Sequence, residues 1–114
     1  MNVRERDAWE AVRDNCRLAL RFVGSRTSEE LSADIEALYA AVRALEIVSE
    51  ASRRLRGTQQ GRFPETPWRM IEDAGNVYRH GYDLLLVDRI RETTLNWAPR
   101  LLAVAESALG EDLG

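Results

Sequence analysis

The sequence predicts an all-α protein, an antiparallel bundle of four or five helices that dimerises. Three observations carry the fold class. Apolar residues return every three or four positions through most of the chain, no segment alternates apolar and polar residues with a period of two, and there are only 7 Gly and 3 Pro. The 114 residues are one domain's worth of chain, read as a single helical domain over residues 1–114, and 45% apolar with 31% charged residues is enough to build a core.

The elements follow in order. Residues Asp7 to Val23 place Trp9, Val12, Cys16, Ala19 and Val23 on one helix face, and Gly24-Ser25 ends it. Thr27-Ser28-Glu29-Glu30 has the S/T-x-x-E form in which the first and last side chains cap each other's backbone N–H groups, so a second helix starts there. Its stripe of Leu31, Ile35, Leu38, Val42, Leu45, Val48, Ser52 and Leu55 runs to about Gly57, which makes it the longest element. A long amphipathic helix in so small a chain leaves apolar surface to cover, and a homodimer is the natural way to cover it.

Gly57 to Pro64 reads as a connector. Thr66-Pro67 reads as an N-cap followed by Pro at the first helical position, where a missing N–H costs nothing, and predicts a third helix over roughly Pro67 to Arg79. After Gly81-Tyr82-Asp83 the pattern resumes with Val87, Ile90, Thr94, Trp97, Leu101, Val104 and Ala108, and Pro99 is expected to kink or restart that helix. Residues Gly110 to Gly114 should fray. Trp9, Trp68 and Trp97 read as core anchors, and Cys16 as a small hydrophobe.

Charge and residue counts exclude several function classes. All 16 basic residues are Arg, the bias of a GC-rich genome, and the net charge of −3 argues against a broad nucleic-acid coat. One His and one Cys do not build a structural zinc site, and neither G-x-x-x-x-G-K-[ST] nor G-x-G-x-x-G occurs, so no metal and no cofactor is expected. The lone Cys, the charged N-terminus and the lack of an apolar run near 18 residues point to the cytoplasm and to no membrane span. The adjacent acids Glu29/Glu30, Glu72/Asp73 and Glu111/Asp112 point about 100° apart on a helix and read as solvated faces. The run Arg53-Arg54-x-Arg56 reads as a solvated helix end near the negative pole of the helix dipole.

The third helix is where chemistry concentrates. At 3.6 residues per turn Arg69, Asp73, Asn76 and His80 share one line, beside an apolar line of Trp68, Ile71 and Tyr78. His80 is the only His, Tyr82 follows two residues later, and a His poised near neutral pH beside an Arg suits phosphodiester chemistry. A lone His at a helix end also has a plain structural use against the dipole, and Tyr82 can simply pack at the turn.

The run Phe63-Pro64-x-x-Pro67-Trp68-Arg69-x-Ile71, then Asn76-x-x-x-His80-x-Tyr82, Val87-Asp88 and Pro99-x-Leu101-Leu102, resembles the HepT family of HEPN-domain ribonuclease toxins. The upstream stretch Leu45 to Leu55 resembles that family's second-helix signature. The resemblance implies a dimer that carries the motif R-x(4–6)-H-x-Y at its interface and cleaves RNA without metal. It also implies a minimal nucleotidyltransferase (MNT) antitoxin as partner, which transfers AMP to the motif tyrosine. His80 and Tyr82 match the motif, and Asn76 matches the polar residue that follows its Arg.

The motif Arg itself should stand five residues before His80, where this chain has Gly75. Arg69 and Arg79 are the substitutes on offer. Arg69 lies eleven residues before His80, about 16 Å along a helix axis, and would reach only across a dimer seam; Arg79 is rotated by about 100° from His80. One His per chain cannot be general base and general acid at once, so the expected site pairs two His80 residues about a two-fold axis. The alternative is a catalytically inactive HEPN domain that serves as a dimeric module for a nucleotidyltransferase partner.

Overall fold

Asn2 opens the first helix with a side chain that accepts from the Glu5 N–H at 2.8 Å, while the Asn2 N–H donates to the Glu5 carboxylate at 2.8 Å. In the computed structural model, which describes residues 1–75 and 83–110, this cap starts α1 (Val3–Val23) four residues earlier than the apolar stripe alone predicts. The predicted stripe Trp9, Val12, Cys16, Ala19 and Val23 is buried in full, together with Ala8.

The long second helix is two helices, α2 (Ser28–Ala33) and α3 (Ile35–Arg53). Asp34 is the cause. Its backbone leaves the helical region (φ −101°, ψ 83°), its carboxylate accepts from the Ala37 N–H at 3.1 Å, and Arg26 donates to it at 3.2 Å. A short acidic side chain satisfies free N–H groups at a helix start better than it serves inside a helix. The break also corrects the core stripe: Ile35 is 58% exposed, whereas Leu31, Leu38, Val42, Leu45, Val48, Ser52 and Leu55 are buried.

The predicted connector holds a single helical turn, α4 (Thr58–Gly61), entered through Gly57 at a positive φ of 90°. That turn lets the buried Gln59 accept from the Trp9 indole N–H at 2.9 Å and from Arg62 at 2.8 Å. Trp9 is met edge-on by Phe63 (5.6 Å between centroids) and Trp68 (5.8 Å). Helix α5 (Trp68–Ala74) follows, and the remainder of the predicted third helix lies outside the described residues.

Asp83 caps the last helix, α6 (Leu84–Leu109), by accepting from the Leu86 N–H at 2.8 Å. Pro99 does not restart it. Proline removes the bond to the carbonyl four residues earlier, that of Leu95, but Leu95 and Pro99 both lie on the solvent side, where water serves the carbonyl. Trp97 is a second correction, since it is half-buried with the Arg100 guanidinium 5.3 Å from its ring centre.

Helix α1 packs along both α3 and α6, α5 lies on α3, and α2 lies on α6. The described residues contain six helices and no strand, so the predicted all-α class holds, the extra elements being the Asp34 break and the single turn α4. Among them no helix is long and apolar enough to cross a membrane. Burial pushes the Cys16 thiol up to about 12. The folded protein should therefore react very slowly with a thiol reagent at mildly alkaline pH and at the rate of a free thiol in denaturant, a contrast that a colorimetric thiol assay reads directly.

Candidate functional site

Seven residues cannot hold a helix by their own backbone bonds, so α5 depends on what grips it. Its inner face is Trp68, Ile71, Glu72 and Gly75, all buried. Three of the four are apolar or small, and the fourth is a carboxylate only 6% exposed.

Glu72 is held from the end of α3 and from α4. Arg56 donates to Glu72 Oε1 through Nε at 2.7 Å and through Nη2, and Gln60 donates to Oε2 at 2.8 Å. Arg53 donates to the Glu72 backbone carbonyl. The hydrogen bond from Arg56 holds the Glu72 carboxyl below its ordinary 4.5 against the opposing effect of burial, with Gln60 and the charges of Arg56 and Arg53 adding to the downward pull. Arg56 is raised in turn, first by the hydrogen bond to Glu72 and then by its charge. One expectation is overturned here, since Glu72 is not part of a solvated face; Arg54 and Arg56 are exposed as expected, but Arg53 and Arg56 also bond to α5.

The second grip is Ser49 on α3. Its hydroxyl donates to the Ile71 carbonyl at 2.7 Å and accepts from the Gly75 N–H at 3.0 Å, so one side chain ties two turns of α5 to α3. The approach is close enough that a Cβ at position 75 would stand 3.1 Å from both Ser49 Cβ and Oγ. Gly75, where the motif calls for Arg, thus faces Ser49, and a side chain there makes Ser49 give by a few tenths of an ångström.

Of the residues singled out in the sequence, Asn76, Arg79, His80 and Tyr82 lie outside the described residues, as does Tyr78. Arg69 and Asp73 are exposed on the outer side of α5, as their spacing predicts, and share a shallow depression with Arg56, Gln60 and Glu72. Sequence reasoning missed Ser49, Arg56, Gln60 and Glu72. A signal was present: Trp68 with Glu72, and Ile71 with Gly75, are pairs spaced by four, which puts Glu72 on the buried face rather than beside Asp73. Among the described residues no three His, Cys, Asp or Glu side chains gather as metal ligands.

Comparison with known proteins adds the following. The family model described as "Ribonuclease HepT-like" matches residues 12–108. A protein of Methanocaldococcus jannaschii described as a "Putative RNase" is 41% identical over 44 residues, a stretch that covers 39% of this chain and 40% of that protein. No solved structure gives a significant match.

Two predictions follow from the two grips. Because the folded carboxyl of Glu72 titrates below its ordinary 4.5, the stabilisation from its pairing is complete above that pH and is lost as pH falls through the lowered value. Glu72→Gln should cost about 1–3 kcal/mol at neutral pH. The gap in melting temperature to wild type should narrow on acidification, as a pH series of thermal melts would show. Gly75→Ala should cost about 1–3 kcal/mol in a denaturant titration by crowding Ser49, and Gly75→Arg at least as much.

Proposed function

The chain belongs to the HepT-like ribonuclease family, and on that premise we propose that it is a toxin that cleaves RNA at a site shared between two subunits. The observation that carries the reading is the family match over residues 12–108, which takes in Asn76, His80 and Tyr82. In support, α5 leads into that segment from two fixed points, the Glu72 carboxylate and the Gly75 N–H.

Cleavage needs no cofactor or metal in this reading. One His80 takes the proton of the ribose 2′-hydroxyl, whose oxygen attacks the neighbouring phosphorus, and the partner's His80 gives a proton to the departing 5′-oxygen. The products are a 2′,3′-cyclic phosphate and a 5′-hydroxyl. Arg79 of the same chain, or Arg69 across the dimer seam, neutralises the charge that grows on the phosphate, and Asn76 holds a phosphate oxygen through its amide. An MNT antitoxin neutralises the protein by transferring AMP from ATP to the Tyr82 hydroxyl, with pyrophosphate leaving, which adds charge and bulk two residues from the catalytic His.

One observation favours a second reading, in which the protein is an inactive dimeric module for the nucleotidyltransferase. Gly75 is packed closely against Ser49, so the motif position lacks its Arg and is crowded for a side chain. The two readings part in one experiment: purified wild type and His80→Ala are incubated with single-stranded RNA, with and without a chelator. The ribonuclease reading expects chelator-insensitive cleavage that falls at least about 100-fold in His80→Ala. Equal inactivity of both proteins, with nucleotidyltransferase binding retained, would establish the second reading instead.

A further inference from the structure

Beside α5, the 62–67 segment and α6 line an open cavity of about 470 Å³. Its lining includes two half-buried aromatic residues, Phe63 and Trp97. Each carries its own guanidinium: Arg62 lies 5.3 Å from the centre of the Phe63 ring, and Arg100 lies 5.3 Å from the centre of the Trp97 ring. Arg62 and Arg100 are both exposed and both line the cavity, against the single acid Glu65.

We propose that this cavity is a subsite for a nucleotide of single-stranded RNA, its base stacked on Trp97 and its flanking phosphate held by Arg100 and Arg62. The proposal rests on the reading of the chain as an RNA-cleaving protein. The volume is that of a small-ligand pocket, roughly 300–1,000 Å³. An aromatic face is a sequence-tolerant platform for a base, and an Arg fork is the side chain best matched to phosphate. On a chain of net charge −3, two cations beside two aromatic rings make a local focus for a polyanion where the surface as a whole offers none.

Phe63 is backed edge-on by Trp9, which is fully buried, so this wall of the cavity rests on the core. Ile71 belongs both to the cavity lining and to the gripped face of α5. From Pro67 in the lining to Gly75, where the motif segment begins, is eight residues, about 12 Å along a helix.

The three Trp residues give the test its readout. Trp9 is 0% exposed and Trp68 8%, so quenching of tryptophan fluorescence by a bound strand reports on Trp97. The probe is a short single-stranded 2′-O-methyl RNA, which cannot supply the attacking hydroxyl. Wild type should bind it with quenching, and Arg100→Ala and Trp97→Leu should each weaken binding about tenfold, while Trp97→Phe retains it. Arg100→Ala should also flatten the dependence of log K on log salt by about 0.7.

In cleavage, Arg100→Ala should raise KM for a long RNA with kcat unchanged and leave a dinucleotide substrate unaffected. A thermal melt of each variant controls for folding. Binding by wild type that Arg100→Ala and Trp97→Leu leave unchanged overturns the subsite, as does failure of wild type to bind. Loss of nucleotidyltransferase binding in these variants with RNA binding intact overturns it in favour of a protein-docking surface. Binding that depends on Trp97 and Arg100 in a protein that cleaves nothing upholds the subsite and overturns the ribonuclease reading alone.

Discussion

The attachment of one short helix to one long one is the constraint on which the rest of this molecule depends. Helix α5 buries Trp68 and Ile71, but much of its hold on α3 is polar, through Glu72, Arg56, Gln60 and the Ser49 hydroxyl. Polar contacts at a half-buried seam fix geometry in a way that apolar burial does not, because each has a preferred length and direction. The result is a helix whose register against α3 is set at two successive turns, immediately before the segment that carries Asn76, His80 and Tyr82. Gly75 belongs to the same arrangement. Its missing side chain leaves the Ser49 contact uncrowded, so the departure from the family motif falls where α5 packs closely on α3.

Much of the fold was legible because it rests on local rules. The apolar face of α1, the Thr27 capping box and the connector after Gly57 follow from spacing and turn chemistry. The errors have identifiable physical origins. Asp34 broke the second helix because its carboxylate caps a free N–H at a helix start, that of Ala37, a choice that competes with continuing the helix and is invisible to apolar periodicity. Pro99 was tolerated because its cost falls on a carbonyl that water can reach. Trp97 left the core because its side of α6 opens on a cavity rather than on a helix.

The site was legible only in part. His80, Asn76 and Tyr82 were found by their order in the sequence, and Arg69 and Asp73 lie on the outer face of α5 as their spacing required. The grip on α5 was missed because Glu72 stands next to Asp73, and two adjacent acids look alike in a sequence, whereas a helix turns one inward and the other out. Likewise the sixteen arginines look uniform in composition but serve different physics here. Arg53 and Arg56 satisfy α5, Arg26 steadies a cap, and Arg62 and Arg100 lie over aromatic rings.

Arg56 and Glu72 hold α5 on α3. Amide hydrogen exchange of Arg56→Ala against wild type tests it residue by residue. Protection should fall at Ile71 and Gly75, whose N–H groups bond to the Pro67 carbonyl and the Ser49 hydroxyl, while the buried turns of α1 and α3 keep theirs. Unchanged protection at Ile71 and Gly75 in the variant would contradict it.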